Sequence, residues 1–295
     1  MGQARIIDGN AIAAGLRQRI GVAAAHLHDE AAITPGLATV LVGDNAASQV
    51  YIRAKARACA GSGLAAFDIR LPADISQADL VAEVAKLNGE DGVDGILVQL
   101  PLPQHIDPDK VINAVDPSKD VDGFHPANIG RLWSGGAGFV PCTPQGCLMM
   151  LHTVHQELRG AAAVVLGRSN IVGKPMAALL LAADCTVTMV HSRTRDAAAI
   201  CRRADILIAA TGRPRMVKAD WVQPGATVID VGIAAVPATD GESRIVGDVD
   251  FAAVSAIAGA ISPVPGGVGP MTIACLLRNT VLAACRRRGL PDPAL

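Results

Sequence analysis

The chain has 295 residues, room for roughly two domains of ~150 residues each. With 51% hydrophobic and 18% charged residues, it is neither a disordered chain nor a polyelectrolyte. Its 26 basic and 27 acidic residues leave a net charge of −1, so no global field recruits nucleic acid or an anionic membrane. Aromatics make up only 2%, and the core must be built from Ala, Val, Leu and Ile. That aliphatic bias suits parallel sheets buried on both faces.

The segment Met1-Gly2-Gln3-Ala4-Arg5 leads into an amphipathic stretch and not an apolar signal core. Apolar runs such as Met176 to Ala183 fall short of the ~20 residues that span a bilayer. The seven cysteines are scattered and contain no C-x-x-C pair. Buried thiols in a reducing cytoplasm are expected, with no disulfide framework and no metal site. His152 and His155 share a helix face in this reading, but no Cys or carboxylate stands beside them to complete a metal site.

In chain order, short Val/Ile/Leu runs alternate with Ala-rich stretches of helical period, the pattern of βαβ units. A helix is expected over Asn10–Glu30, then a strand over Leu37–Val42. Val42-Gly43-Asp44 ends that strand, and Ser48 is the expected N-cap of a helix running to Ala60. On that helix Tyr51 and Lys55 stand four apart and share a face, which a plain surface pair also does. A strand over Phe67–Leu71, a helix over Gln77–Leu87 and a strand over Gly95–Leu100 follow. Gln99 interrupts the last of these, otherwise a buried apolar run, where an unpaired amide costs about 1–3 kcal/mol. It lies near the strand's carboxyl end, where open α/β sheets bind ligands. Asp120-Val121-Asp122-Gly123-Phe124 puts acids in a loop. The Gly- and Pro-rich passage from Ser134 to Gly146 reads as a domain junction.

The second half restarts with a strand over Ala162–Leu166 that runs into Gly167-Arg168-Ser169-Asn170-Ile171-Val172-Gly173-Lys174-Pro175 and an apolar helix. A strand, a glycine turn and a helix N-terminus make a pyrophosphate cradle, although a tight structural turn has the same pattern. It is not a P-loop: five residues separate the glycines, and Pro175 stands where a magnesium-binding hydroxyl belongs. The next strand, Thr186–Val190, ends in His191-Ser192-Arg193-Thr194-Arg195 and lacks the acid that would bind ribose hydroxyls in an NAD site. Arg168 and Ser192 suit a 2′-phosphate, so NADP is favoured over NAD. Strands over Ile206–Ala210, Thr227–Val231 and Ala260–Val264 and a helix from Met271 to about Arg288 complete the chain.

Six blocks in order resemble the bifunctional methylenetetrahydrofolate dehydrogenase/cyclohydrolase family. They are Val42–Asp44 with Ser48–Lys55, Asp94–Pro103, Lys119–Phe124, Pro141–Pro144, Gly167–Pro175 and Pro263–Thr272. Ala46, Ala54 and Ala234 depart from the family's usual residues without removing a chemical group. The resemblance implies an α/β fold of two domains facing across a cleft. A three-layer αβα folate-binding catalytic domain would span residues 1–140 plus the C-terminal helix from about 275 to 295. A Rossmann-like NADP-binding domain would span 141–274, and the protein would be a cytoplasmic homodimer.

The same resemblance implies hydride transfer from 5,10-methylenetetrahydrofolate to NADP⁺, then hydrolysis of the methenyl cation to 10-formyltetrahydrofolate. By it Lys55 is the general acid/base, Gln99 orients Lys55, Tyr51 stacks on the aminobenzoyl ring and Asp122 hydrogen-bonds the pterin. Val98, Leu100 and the loop of Pro265, Gly266, Gly267, Val268 and Gly269 line the folate side. Gly167, Arg168, Ser169, Ser192 and Ile233 contact the cofactor. A different NADP-dependent oxidoreductase accounts for the second half but not for Tyr51, Lys55 and Gln99. A non-catalytic dinucleotide-binding regulator leaves Gln99 and Lys55 without a purpose. Hydrolysis of the methenyl cation separates both from the family.

Overall fold

The computed structural model describes residues 3–44, 46–237 and 243–295, without the side chains of residues 46–51. The chain forms two compact units, one of Met1–Ala13 with Thr143–Thr272 and one of Ala14–Cys142 with Ile273–Leu295. In chain order the elements begin with β1 (Arg5–Ile6), α1 (Gly9–Ala31), β2 (Gly36–Val42), α2 (Ala46–Ala60) and β3 (Ala65–Leu71). Next come α3 (Gln77–Gly89), β4 (Gly95–Val98), α4 (Pro108–Ala114), α5 (Pro126–Ser134) and α6 (Cys142–His152). The second half runs β5 (Ala162–Leu166), α7 (Gly173–Ala182), β6 (Thr186–Val190), α8 (Ala197–Cys201), β7 (Ile206–Ala209) and β8 (Thr227–Asp230). The hairpin strands β9 (Ala234–Pro237) and β10 (Ser243–Val246), then α9 (Phe251–Ser255), β11 (Ala260–Ile261) and α10 (Val268–Arg287) complete it.

The unit containing Ala14–Cys142 is built on a three-stranded sheet of order β3-β2-β4. Both pairings are parallel, and every residue of β2 is buried, as a central strand covered on both faces requires. Val40, Ile96, Leu80, Val84 and Val111 meet in its core, so α3 and α4 close one face. Ser76 caps α3 by accepting the Asp79 N–H at 3.1 Å. The last turn of α10 is tied to this sheet by Asp94, whose side chain is fully buried. Its Oδ1 accepts Arg287 and Arg288, each at 2.6 Å, and its Oδ2 accepts the Gly36 N–H at 3.1 Å.

The other unit holds a six-stranded sheet of order β1-β11-β8-β7-β5-β6, parallel throughout. The chain steps from β5 to β6 on one side and returns to β7 on the other. The reversal of direction beside β5 opens a crevice at the strands' carboxyl ends. Its core is aliphatic, with Val164, Leu166, Leu207, Val228 and Ile261 from successive strands.

Several expectations need correction. Residues 1–13 go with the six-stranded unit and not with the first domain, because β1 pairs with β11 and Ile7 N–H donates to Ile261 O at 2.9 Å. Two residues of pairing give too little periodicity to read from sequence. Helix α2 starts at Ala46, so Ser48 lies in its first turn and not at its cap. His155 lies beyond the end of α6 and bonds Thr227 Oγ1 at 2.9 Å, so it shares no helix face with His152. On length and composition α10 is apolar enough to cross a membrane, but 72% of its most apolar stretch is buried inside the protein.

Asp94→Ala should cost about 3 kcal/mol, since it strands two guanidiniums and an amide that share one buried carboxylate. Urea unfolding would check this; a midpoint equal to the parent's would show that Asp94 anchors nothing.

Candidate active site

In the three-stranded unit the chemistry gathers at the carboxyl end of β4. The strand stops at Val98, yet Gln99 N–H still bonds Val40 O at 2.9 Å, so Gln99 continues the ladder as a half-buried residue. Its side chain is fixed at both ends. Nε2 donates to Leu100 O at 2.8 Å, and Oε1 accepts Lys55 Nζ at 2.8 Å. The amide orientation therefore follows from its partners, with oxygen towards the amine.

Lys55 reaches this point from α2 and is only 8% exposed. Burial holds its pKa below that of an ordinary lysine, while the nearby Asp122 carboxyl pulls the other way. Asp122 feels the mirror image. Burial pushes its carboxyl up to about 6, opposed by the Lys55 charge.

The turn carrying Asp122 is held by its neighbours. Asp120 Oδ1 accepts the Phe124 N–H at 3.1 Å, and Oδ2 accepts the His125 N–H and Asn128 Nδ2, both at 2.8 Å. From α10, Asn279 Nδ2 donates to Val121 O at 2.9 Å and to Val140 O at 3.2 Å. Lys55, Gln99 and Asp122 thus come together, with Val98 and Leu100 flanking Gln99. The Tyr51 side chain lies outside the described residues.

In the six-stranded unit a cavity of about 370 Å³ sits over the carboxyl ends of β5, β6 and β7. It is lined by Gly167, Arg168, Ser169 and Ser192, and also by Thr211 and Arg213. Gly167 has φ +132°, and a Cβ there would lie 2.1 Å from Ala210 O. A Cβ on Gly173 would lie 2.4 Å from Gly167 O, so only glycines let strand, turn and helix pack this closely. Ser169 Oγ accepts the Val172 and Gly173 N–H groups at 3.1 and 3.2 Å, closing the turn onto the start of α7. A strand, a glycine turn and a helix start packed this closely have the form of a dinucleotide cradle.

Ile233 does not line this cavity; it lies past the end of β8 and is 55% exposed. Of Pro265–Gly269, the last two residues begin α10, and the Gly266 carbonyl accepts the Asn10 N–H at 3.1 Å. That segment belongs to the six-stranded unit, apart from the unit of Lys55.

Sequence reasoning missed two buried acids. Asp230 accepts the N–H groups of Gly232, Asp248 and Val249, each at 2.9 Å, and burial pushes its carboxyl up to about 6. Asp248 Oδ2 accepts the Thr211 and Gly212 N–H groups that follow β7. An acid at the end of an apolar strand was the available signal.

Two family models match the chain. The catalytic domain of tetrahydrofolate dehydrogenase/cyclohydrolase matches residues 7–122, and that family's NAD(P)-binding domain matches 141–288. The chain belongs to the tetrahydrofolate dehydrogenase/cyclohydrolase family. It is 62% identical to a bifunctional FolD protein of Rhizorhabdus wittichii over 100% of this chain and 98% of that one. Among solved structures it is similar to the bifunctional FolD enzyme of Campylobacter jejuni, with 45% identity and a TM-score of 0.92 over 96% of this chain and 99% of that one. It is also similar to the Trypanosoma brucei methylenetetrahydrofolate dehydrogenase-cyclohydrolase complexed with NADP cofactor and inhibitor. That match has 40% identity and a TM-score of 0.93, over 98% of this chain and 99% of that one.

For this family member, Asp122 gives a pH signature. A carboxyl raised from 3.8 to about 6 favours the fold below its unfolded pKa near 4, and that contribution is lost as pH rises through about 6. Asp122→Asn should therefore be about 1–3 kcal/mol more stable than the parent at pH 8 and no more stable at pH 4. Thermal melts at the two pH values check this; a gain that persists at pH 4 would contradict it.

Proposed function

We propose that this chain oxidises 5,10-methylenetetrahydrofolate with NADP⁺ and hydrolyses the methenyl product to 10-formyltetrahydrofolate. The observation that carries the reading is the buried Lys55 amine, aimed by Gln99 at 2.8 Å beside the Asp122 carboxyl. Neither rival class, a different dinucleotide oxidoreductase or a binding-only regulator, has a use for it. The unit of Ala14–Cys142 with the C-terminal helix takes the folate, and the six-stranded unit takes the dinucleotide.

NADP⁺, when bound, accepts the hydride from the methylene carbon. Gly167–Ser169 would hold its phosphates against the start of α7, with Arg168 and Ser192 on the 2′-phosphate and Ile233 a backbone contact. No acid follows β6 until Asp196, so nothing at the strand end repels that phosphate. Oxidation needs no proton from the protein, so positioning is its main demand.

Hydrolysis does need one. Water adds to the methenyl carbon, and the neutral Lys55 amine takes a proton from it as the C–O bond forms. The amine returns a proton to N5 as the C–N5 bond breaks; the second water proton leaves to solvent and the formyl group stays on N10. Burial lowers the Lys55 pKa and so favours the neutral base that this step needs. Gln99 aims the amine, Asp122 bonds the pterin, and Tyr51 stacks on the aminobenzoyl ring. Val98 and Leu100 flank the folate, and Pro265, Gly266, Gly267, Val268 and Gly269 line its other side, where glycines allow close backbone approach.

A cytoplasmic homodimer joined through the dinucleotide-binding units completes the proposal. Exposed apolar side chains on that unit, among them Leu181, Ile233 and Ile245, support the dimer. Seven buried cysteines, none in a disulfide, suit a reducing compartment.

Lys55→Met keeps the apolar stem and removes the titrating amine. Cyclohydrolase activity should fall by about 10²-fold or more and dehydrogenase activity much less, with methenyltetrahydrofolate accumulating in the presence of NADP⁺. Hydrolysis at the parent rate would remove Lys55 from the mechanism. Arg168→Ala should raise KM for NADP⁺ about tenfold and leave NAD⁺ use little changed. Equal losses with both cofactors would show that Arg168 does not read the 2′-phosphate.

A further inference from the structure

The cavity over β5, β6 and β7 is lined by two arginines, not one. Arg168 enters from the turn after β5 and Arg213 from the loop after β7, on the other side of β5. No acidic residue lines the cavity, and among the described residues neither arginine forms an ion pair. Two like charges facing one space of about 370 Å³ repel each other until an anion enters it. Ser192, at the end of β6, adds a hydroxyl donor from the third strand.

The Arg213 loop is anchored. Asp248, only 1% exposed, accepts the Thr211 and Gly212 N–H groups, and Thr211 Oγ1 accepts the Arg213 N–H at 3.1 Å. Just beyond, Arg215 N–H bonds Gly247 O and Val217 N–H bonds Asp248 O, each at 2.9 Å. The backbone on both sides of Arg213 is fixed to the turn after β10, so its guanidinium springs from a set point. Preorganisation of this kind reduces the entropy lost when a long side chain engages an anion.

We infer that Arg213 is a second guanidinium of the 2′-phosphate subsite and so a specificity-determining residue for NADP⁺ over NAD⁺. The inference rests on the proposed placement of that phosphate beside Arg168 and Ser192. A phosphate monoester carries close to two negative charges above pH ~6 and offers three acceptor oxygens, a demand that one guanidinium leaves half met. A pyrophosphate instead spreads its charge along the glycine turn and the start of α7, where backbone N–H groups meet it.

The test uses the full chain with adenosine 2′,5′-bisphosphate and 5′-AMP as probes, titrated by calorimetry without folate. The parent should bind the bisphosphate more tightly than AMP; no preference would sink the reading of the 2′-phosphate site itself, whatever Arg213 does. Given that preference, Arg213→Gln should weaken the bisphosphate about tenfold and AMP less than twofold. Arg213→Lys should recover part of the loss, because it restores the charge without the planar fork. Arg213 is exposed, so its replacement does not threaten the core. Equal weakening of both probes would make Arg213 an adenine or 5′-phosphate contact and overturn the inference, as would no change in either.

Discussion

The burial of one amine organises the folate half of this molecule. The proposed hydrolysis asks Lys55 to give and take protons, and desolvation is the largest cause that lowers its pKa towards that work. A buried cation without partners costs several kcal/mol, so the environment that lowers its pKa must also limit the damage. Gln99 and Asp122 divide that task. The amide oxygen accepts a hydrogen bond from the amine without charge of its own, while the carboxyl supplies a nearby negative charge at the price of its own desolvation. Each partner then needs its own support: Leu100 O for the Gln99 amide, the Asp120 bonds and Asn279 for the Asp122 turn.

The dinucleotide half solves a different problem with different means. It must present backbone N–H groups and permanent cations to a polyanion, and nothing in it has to titrate. Glycines at 167 and 173 permit the close approach of strand, turn and helix. Buried acids stand behind the surface as anchors: Asp230 gathers three N–H groups and Asp248 two. These carboxylates serve backbone geometry. Their negative charge also lies behind amides and not in the cavity, where it would repel phosphate.

Much of this was legible in the sequence because the six- and three-stranded sheets are parallel and their central strands are buried. The apolar runs Ala162–Leu166 and Thr186–Val190 are β5 and β6 to the residue, since glycine and charge bound them sharply. Gln99 stood out for a physical reason, an amide where burial demands a partner, and the partner exists. The rest rested on long-range pairing. β1 has two residues and is defined by Ala260–Ile261, over 250 positions away, so local pattern cannot reveal it. The roles of Asp94, Asp230 and Asp248 depend on which amides and guanidiniums the fold brings to them. Nothing in the local sequence marks Arg213, and only the return of the chain to the far side of β5 brings it to the cavity of Arg168.

The opposed shifts of Lys55 and Asp122 have a consequence that neither residue has alone. Burial drives the amine down and the carboxyl up, so the two titrations move towards each other, and the charge of each partner opposes the other's shift. An ionised Asp122 holds the proton on Lys55; a protonated or pterin-bonded Asp122 releases that hold and favours the neutral amine. In the proposed reaction the methenyl cation would act in the same direction, because a positive charge beside Lys55 disfavours the ammonium form. In the proposed mechanism the substrate thus makes the base: a pterin bonded to the Asp122 carboxyl and a cation beside the amine would both favour the neutral form of Lys55 that attack by water requires.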